Sequence, residues 1–151
     1  MSYATISDMI DRFGESEMIR LSTPDGADLV AVVAAPIERA LDDAAALIDT
    51  YLRRRYQMPL TVAPPEVRRA CCILARYDLS TGGQRRPSDQ VQEGQQQTIA
   101  WLKAIAGGTV HLDLAEVPIG DQSYAQSSAR EPVYGGTGAG SAPSDFWDQG
   151  L

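Results

Sequence analysis

A change in composition near residue 119 limits what this chain can fold into. Residues 120–151 hold six of the thirteen glycines, five serines and two prolines. A segment of this kind buries too little apolar surface to offset the entropy that it loses on ordering. We therefore expect residues 119–151 to form an extended arm that orders only against a partner. The rest of the chain, roughly 110 residues, is enough for one small domain.

The rest of the chain is patterned for helices, because its apolar residues recur at three- and four-residue spacing. We expect a mainly α fold, a small bundle of four to five helices over residues 1–108. Start and end signals predict two short helices first, one at Thr5–Phe13 and one near Ser16–Ile19. A long helix follows from Pro36, with an apolar repeat that reaches Tyr56. The last two are a helix that Pro64-Pro65 opens and a more polar helix that Ser88 caps and Gly107-Gly108 ends.

Two short stretches have features of strands. Leu29–Val33 is a continuous apolar run, and residues 109–118 place Val110, Leu112 and Leu114 in alternation with mostly polar neighbours. Because the body contains no second strong strand, we expect the strand-like segment 109–118 to pair with another chain, with these three apolar residues as contacts.

Basic residues are concentrated in one part of the chain, although its net charge is −7. Residues 53–86 carry eight arginines and two acidic residues, whereas the rest carries five basic and eighteen acidic residues. This acidic balance argues against sequence-specific DNA binding, and one interpretation is a basic band that faces an acidic surface of a neighbouring subunit. The other interpretation is that the arginines coat solvated helix faces. The arginines expected to contact a partner are Arg53, Arg54, Arg55, Arg68, Arg69, Arg85 and Arg86.

Two aromatic residues near the end of the arm are candidates for docking. Phe146 and Trp147 follow a glycine-rich stretch that has no strand before it and no lysine after it, so the stretch is a linker rather than a phosphate loop. Large aromatic side chains supply much of the area buried in interface pockets, and we expect these two to anchor the arm. The alternative is an arm whose aromatic residues are incidental.

Motifs for catalysis and for metal binding are missing. The adjacent Cys71 and Cys72 point about 100° apart on a helix and cannot share a metal, so we expect reduced cysteines that pack in the core. His111 is the only histidine, and it has neither a metal-ligand spacing nor a nucleophile near it in sequence. We expect no metal, no cofactor and no enzymatic activity.

Membrane and export signals are also missing. No apolar run approaches the roughly 18 residues that a membrane-spanning helix needs. The first residues do not show a basic region followed by an apolar stretch. We expect a protein that is made and used in the cytoplasm and has no membrane partner.

Four stretches of the body, in this order, resemble the neck proteins of Mu-like phages and prophages. They are Tyr3–Glu15, Ala40–Leu52 with Arg55-Tyr56, Pro64-Pro65 with Arg68–Tyr77, and Ala100–Gly108. The resemblance extends to about Leu114. It implies a head-completion or head–tail connector protein that forms a ring of twelve copies beneath the portal and extends the DNA channel.

The resemblance also implies a set of partners and a location. The partners are further copies of the chain, the portal protein, a head-closure or tail-completion protein, and double-stranded DNA that passes through the lumen without specific binding. The location is the virion neck, after synthesis in the cytoplasm of the bacterial host. Two other readings of the residues stay open: a small helical DNA-binding or regulatory protein, and a small enzyme with a dispersed site.

Overall fold

The computed structural model describes residues 2–83 and 85–114, which form five helices. These are α1 Ile6–Phe13, α2 Glu15–Ser22, α3 Ala34–Leu52, α4 Pro65–Thr81 and α5 Asp89–Gly107. The mainly α bundle is confirmed, and residues 2–83 and 85–114 contain no β-strand. The predicted arm, with Phe146 and Trp147, lies outside the described residues.

Helices α1 and α2 are joined by a single residue. Thr5 begins α1 with a capping box, in which its hydroxyl accepts from the Asp8 N–H at 3.2 Å and its own N–H donates to Asp8 Oδ2 at 2.8 Å. Gly14 then ends α1 and caps α2, with φ at 90°. An L side chain rarely adopts that conformation, so a glycine is required between the two helices.

The centre of the bundle consists of α3, α4 and α5, which run alternately up and down. Ala40 of α3 shares a groove with Leu79 near the end of α4, so these two helices are antiparallel. Gly94 of α5 lies opposite Ile73 of α4, and Trp101 shares a groove with Glu66, so α5 is antiparallel to α4. The ends of α3 and α5 therefore lie beside the start of α4.

The long apolar repeat continues beyond the helix that was predicted from it. Helix α3 ends at Leu52, and the chain then turns, with the N–H of Tyr56 bonded to the Leu52 carbonyl at 2.9 Å. Tyr56 is nevertheless only 1% exposed. The turn preserves its position in the core, because Tyr56 is one helical turn beyond Leu52 in the repeat.

The two cysteines are packing residues, as predicted. Both are free and fully buried in α4, and the Cys71 thiol donates to the Leu41 carbonyl of α3 at 3.6 Å. Burial raises the pKa of Cys72 to about 11, which keeps this thiol protonated and unreactive at neutral pH.

Neither expected strand is found in the described residues. Leu29 and Val30 lie in the loop between α2 and α3, where they are 62% and 80% exposed. Residues 109–114 follow turns and bends, because their N–H groups bond inward: Thr109 and Val110 to the Ala104 carbonyl, and Leu112 to the Tyr56 hydroxyl. The rest of the strand-like segment, residues 115–118, lies outside the described residues.

Candidate interaction surfaces

Four of the predicted arginines come together at one end of the bundle. Arg53 and Arg54 follow the last residue of α3 and are exposed, and Arg68 and Arg69 are exposed in the first turns of α4. Because α3 and α4 are antiparallel, these four lie at the same end, which we call the arginine end. Arg55 also lies there, with its guanidinium group against Gly108, the left-handed residue that ends α5.

Arg85 and Arg86 are at the opposite end of the bundle. About 20 Å of helix separates Arg68 from the end of α4 at Thr81, at 1.5 Å per residue. Arg86 is exposed, whereas Arg85 donates to the carbonyls of Leu21 at 3.0 Å and Thr23 at 2.7 Å. Arg85 also forms an ion pair with Asp25 at 3.2 Å. The stretch of arginines in the sequence is therefore two separate groups in space.

Arg76 lies between these groups and fastens α1 and α2 to α4. Its Nε donates to Glu17 Oε1 at 2.7 Å, and its guanidinium carbon stands 4.5 Å from the centre of the Phe13 ring. Both members of the ion pair are largely buried. Because partly buried charged hydrogen bonds are stronger than exposed ones, this arginine stabilises the fold.

Arginines also act on the carboxylate at the start of α1. The hydrogen bond from the Thr5 backbone is the main cause that lowers the pKa of Asp8, and the positive charges of Arg68 and Arg12 lower it further. Arg68 therefore lies close enough to α1 to stabilise the Asp8 carboxylate.

Acidic residues outnumber basic ones at the end opposite the arginine end. The carboxylates there are Asp25, Asp28, Glu38, Asp43, Asp78 and Asp89. The basic residues there are Arg20, Arg39, Arg85 and Arg86. Burial raises the pKa of Asp78, and the charge of the neighbouring Asp43 raises it further, so the Asp78 carboxyl resists ionisation.

An apolar groove of about 680 Å³ opens beside the arginine end. Its walls are the loop before α4, the end of α5 and the segment after α5. We call it the apolar groove. Its apolar lining is Val62, Pro64, Pro65, Trp101, Val110, Leu112 and Leu114, and its polar lining is Glu66, His111 and Asp113. Val110 and Leu114 were predicted as partner contacts, whereas Val62 and Trp101 were missed. Val62 is 74% exposed. Its position as an apolar residue in a loop before two prolines is a signal by which it could have been found.

A buried hydrogen bond holds one wall of the apolar groove in place. The Tyr56 hydroxyl accepts from the Leu112 N–H at 2.8 Å, and the Leu112 side chain is only 8% exposed. Leu112 therefore belongs mainly to the core, while its neighbours Val110 and Leu114 are partly exposed. The apolar residues of this segment are more buried than their neighbours, as in an alternating strand, but the backbone is not a strand.

A second groove, of about 360 Å³, lies between α1, α4 and α5. Arg12, Arg69 and Arg76 border it, together with Gln90 and Gln97. Glu93 also lines it, so the groove combines three arginines with one carboxylate, and its lining includes no serine, threonine or cysteine nucleophile. Across the described ranges, no group of three or more side chains could hold a metal ion.

The described helices were also assessed for membrane insertion. None of them combines the length and the apolar character needed to cross a bilayer.

Comparison with known proteins places the chain in a phage family. The family model described as "Bacteriophage Mu, Gp36" matches residues 3–129. Gene product J of Escherichia phage Mu is 35% identical over 108 residues, which cover 72% of this chain and 74% of that protein. The Mu-like prophage FluMu protein gp36 of Haemophilus influenzae is 38% identical over 82 residues, which cover 54% of this chain and 56% of that protein. The chain therefore belongs to the Gp36 family of bacteriophage Mu.

Proposed function

We propose that this protein is a structural protein of the phage particle, a head–tail connector that forms a ring beneath the portal and extends the DNA channel. Family membership supports a phage role. The observation that carries the connector role is the separation of charge along one small bundle, with exposed arginines at one end and mostly carboxylates at the other.

Charge separation suits a ring because of the way rings close. Identical subunits arranged head to tail around an axis need two different and complementary surfaces on each copy. A subunit with Arg53 and Arg54 at one end and Asp43 and Asp78 at the other supplies such a pair. Complementary charge fixes the orientation and the register of neighbouring copies.

The overall charge supports the passage of DNA through such a ring. At a net charge of −7, the average wall repels phosphate, so duplex DNA slides without being held. The proposed partners are the portal protein on one side and a head-closure or tail-completion protein on the other. The arm with Phe146 and Trp147 stays our predicted anchor for one of them.

Electron microscopy of the purified chain mixed with portal-bearing, tailless capsids tests this proposal. We expect added ring density at the portal vertex. Arg54→Glu should weaken that density, because it reverses a charge at the arginine end without touching the core. Arg20→Glu is the matched control, since Arg20 is also exposed but lies at the opposite, acidic end, where one more carboxylate leaves the charge complementarity intact.

Two results would count against the connector role. One is an absence of density with the unchanged chain under conditions in which the chain is folded by circular dichroism. The other is tight binding of duplex DNA at physiological salt with steep salt dependence, which would favour the DNA-binding alternative.

A further inference from the structure

We propose that residues 2–5, the segment before α1, form a strap that holds the loop of residues 57–63 in place and thereby sets the shape of the apolar groove. The loop joins α3 to α4 and carries Val62, which lines that groove. A partner that displaces the strap would free this wall of the groove. The coupling does not depend on the proposed ring, because it needs only one folded chain.

The hydroxyl of Tyr3 lies between α3 and the loop. It donates to Asp49 Oδ1 in the last turn of α3, and it accepts from the Leu60 N–H at 3.4 Å. Met58 Sδ lies 3.7 Å from the same oxygen. A hydroxyl has one proton to donate, and a carboxylate is a stronger acceptor than a thioether, so the Met58 contact is packing. One side chain thus joins the end of a long helix to two points of the loop.

The loop has few other attachments. Between residues of the described ranges, its backbone makes a single hydrogen bond, the one from Leu60 to Tyr3. Its remaining hold is the packing of Met58, Leu60 and Ala63 against the core, and each of these is only partly buried. A segment with few hydrogen bonds and little buried apolar surface opens at a low free energy. The loop therefore depends on the Tyr3 hydroxyl for its position.

The strap has anchors of its own on both sides of Tyr3. Thr5 caps α1, and Ser2 Oγ donates to the Ala4 carbonyl at 2.8 Å. The side chains of Tyr3 and Ala4 are buried. Burial raises the pKa of the Cys71 thiol, and hydrogen bonds with Tyr3, Ser2 and Ala4 partly offset the rise, so the strap lies against α4. A segment that is anchored in this way can position the loop.

Amide hydrogen exchange of the full-length chain tests the strap, with Tyr3→Phe as the variant. The substitution removes the hydroxyl and leaves the ring. We expect exchange at Leu60 to be at least about fivefold faster, because its N–H loses its acceptor and the loop opens more often. The amides of Thr61 and Val62 have no hydrogen bond to lose within the described ranges, and they should show faster motion in NMR relaxation.

Tyr77→Phe is the matched control. Tyr77 is also partly buried, and its hydroxyl bonds to no residue of the described ranges. Its removal should leave exchange at Leu60 unchanged. If Leu60 exchanges at the same rate in Tyr3→Phe as in Tyr77→Phe, the strap is overturned.

A second substitution separates positioning from general stabilisation. Asp49→Asn weakens the acceptor that orients the Tyr3 hydroxyl, and no hydrogen bond joins Asp49 to the loop within the described ranges. We expect it to speed exchange at Leu60 in the unchanged chain but to add less than about twofold in Tyr3→Phe, because it acts through the hydroxyl. An effect of equal size in both chains overturns the inference. If Tyr3→Phe does not fold, Asp49→Asn alone decides, and unchanged exchange at Leu60 refutes the strap.

Discussion

Replacing Tyr56 with phenylalanine should destabilise the fold and loosen one wall of the apolar groove. The substitution removes only the hydroxyl, which accepts a hydrogen bond of 2.8 Å from the Leu112 N–H. Tyr56 is 1% exposed and Leu112 is 8% exposed, so water cannot readily replace the lost partner. A buried donor left without a partner costs about 1–3 kcal/mol. For a folded body of this size, each kcal/mol lowers Tm by about 4 °C.

Urea unfolding followed by circular dichroism measures this loss. We expect a lower midpoint and an unchanged slope, because the substitution alters stability rather than the surface exposed on unfolding. Amide exchange at Leu112 should accelerate in Tyr56→Phe, since its N–H loses the acceptor.

Tyr51→Phe is the matched control. Tyr51 is partly buried against the same core, and its hydroxyl makes no hydrogen bond with residues of the described ranges. Its removal should change the free energy of unfolding by less than about 0.5 kcal/mol. If Tyr56→Phe is as stable as Tyr51→Phe, and Leu112 exchange is unchanged, the account of this wall is refuted.

Three further predictions concern charged residues. Arg76→Met should lower the free energy of unfolding by about 1–3 kcal/mol. A double-mutant cycle with Glu17→Gln should give a coupling energy of at least about 0.5 kcal/mol. If the effects of the two substitutions simply add, the ion pair does not stabilise the fold. Because the folded pKa of Asp8 is lowered, its carboxylate stabilises the fold above about pH 4, and this contribution is lost as the pH falls through the folded pKa. The stability difference between the unchanged chain and Asp8→Asn should therefore shrink from pH 7 to pH 3 in urea titrations, and a constant difference would exclude this cause. Because the pKa of Asp78 is raised in the folded state, its ionisation opposes folding as the pH rises. Asp78→Asn should therefore raise Tm at pH 7 but not at pH 3. An unchanged Tm at pH 7 would show that ionisation of Asp78 does not destabilise the fold.

Helix positions were predictable from the sequence because the signals for them are local. Thr5 and Ser88 cap helices where they were expected to, and Pro65 begins α4. The end of α3 was placed too late, since the apolar repeat through Tyr56 reports burial and not helical backbone. Leu29–Val33 was read as a possible short strand from its apolar run, but a short apolar run does not determine the secondary structure by itself.

The interaction surfaces were only partly predictable, because they combine residues that are far apart in sequence. Val62 and Trp101 come together through the antiparallel packing of α4 and α5. Local sequence patterns predict each helix but not which helices pack together. The arginines were identified as one group because they are close in sequence. Their division into two groups depends on the length of α4, and the role of Arg85 depends on the position of the α2 carbonyls.

The single-residue junction at Gly14 restricts how this family can vary in length. An inserted residue there would change the angle and the spacing between α1 and α2 and would move Phe13 away from Arg76. The loop of residues 24–31 has no comparable restriction, because it lies outside the helices and its residues are exposed. Over the lineage of these phages, insertions and deletions should therefore accumulate in that loop, while the spacing between α1 and α2 stays constant.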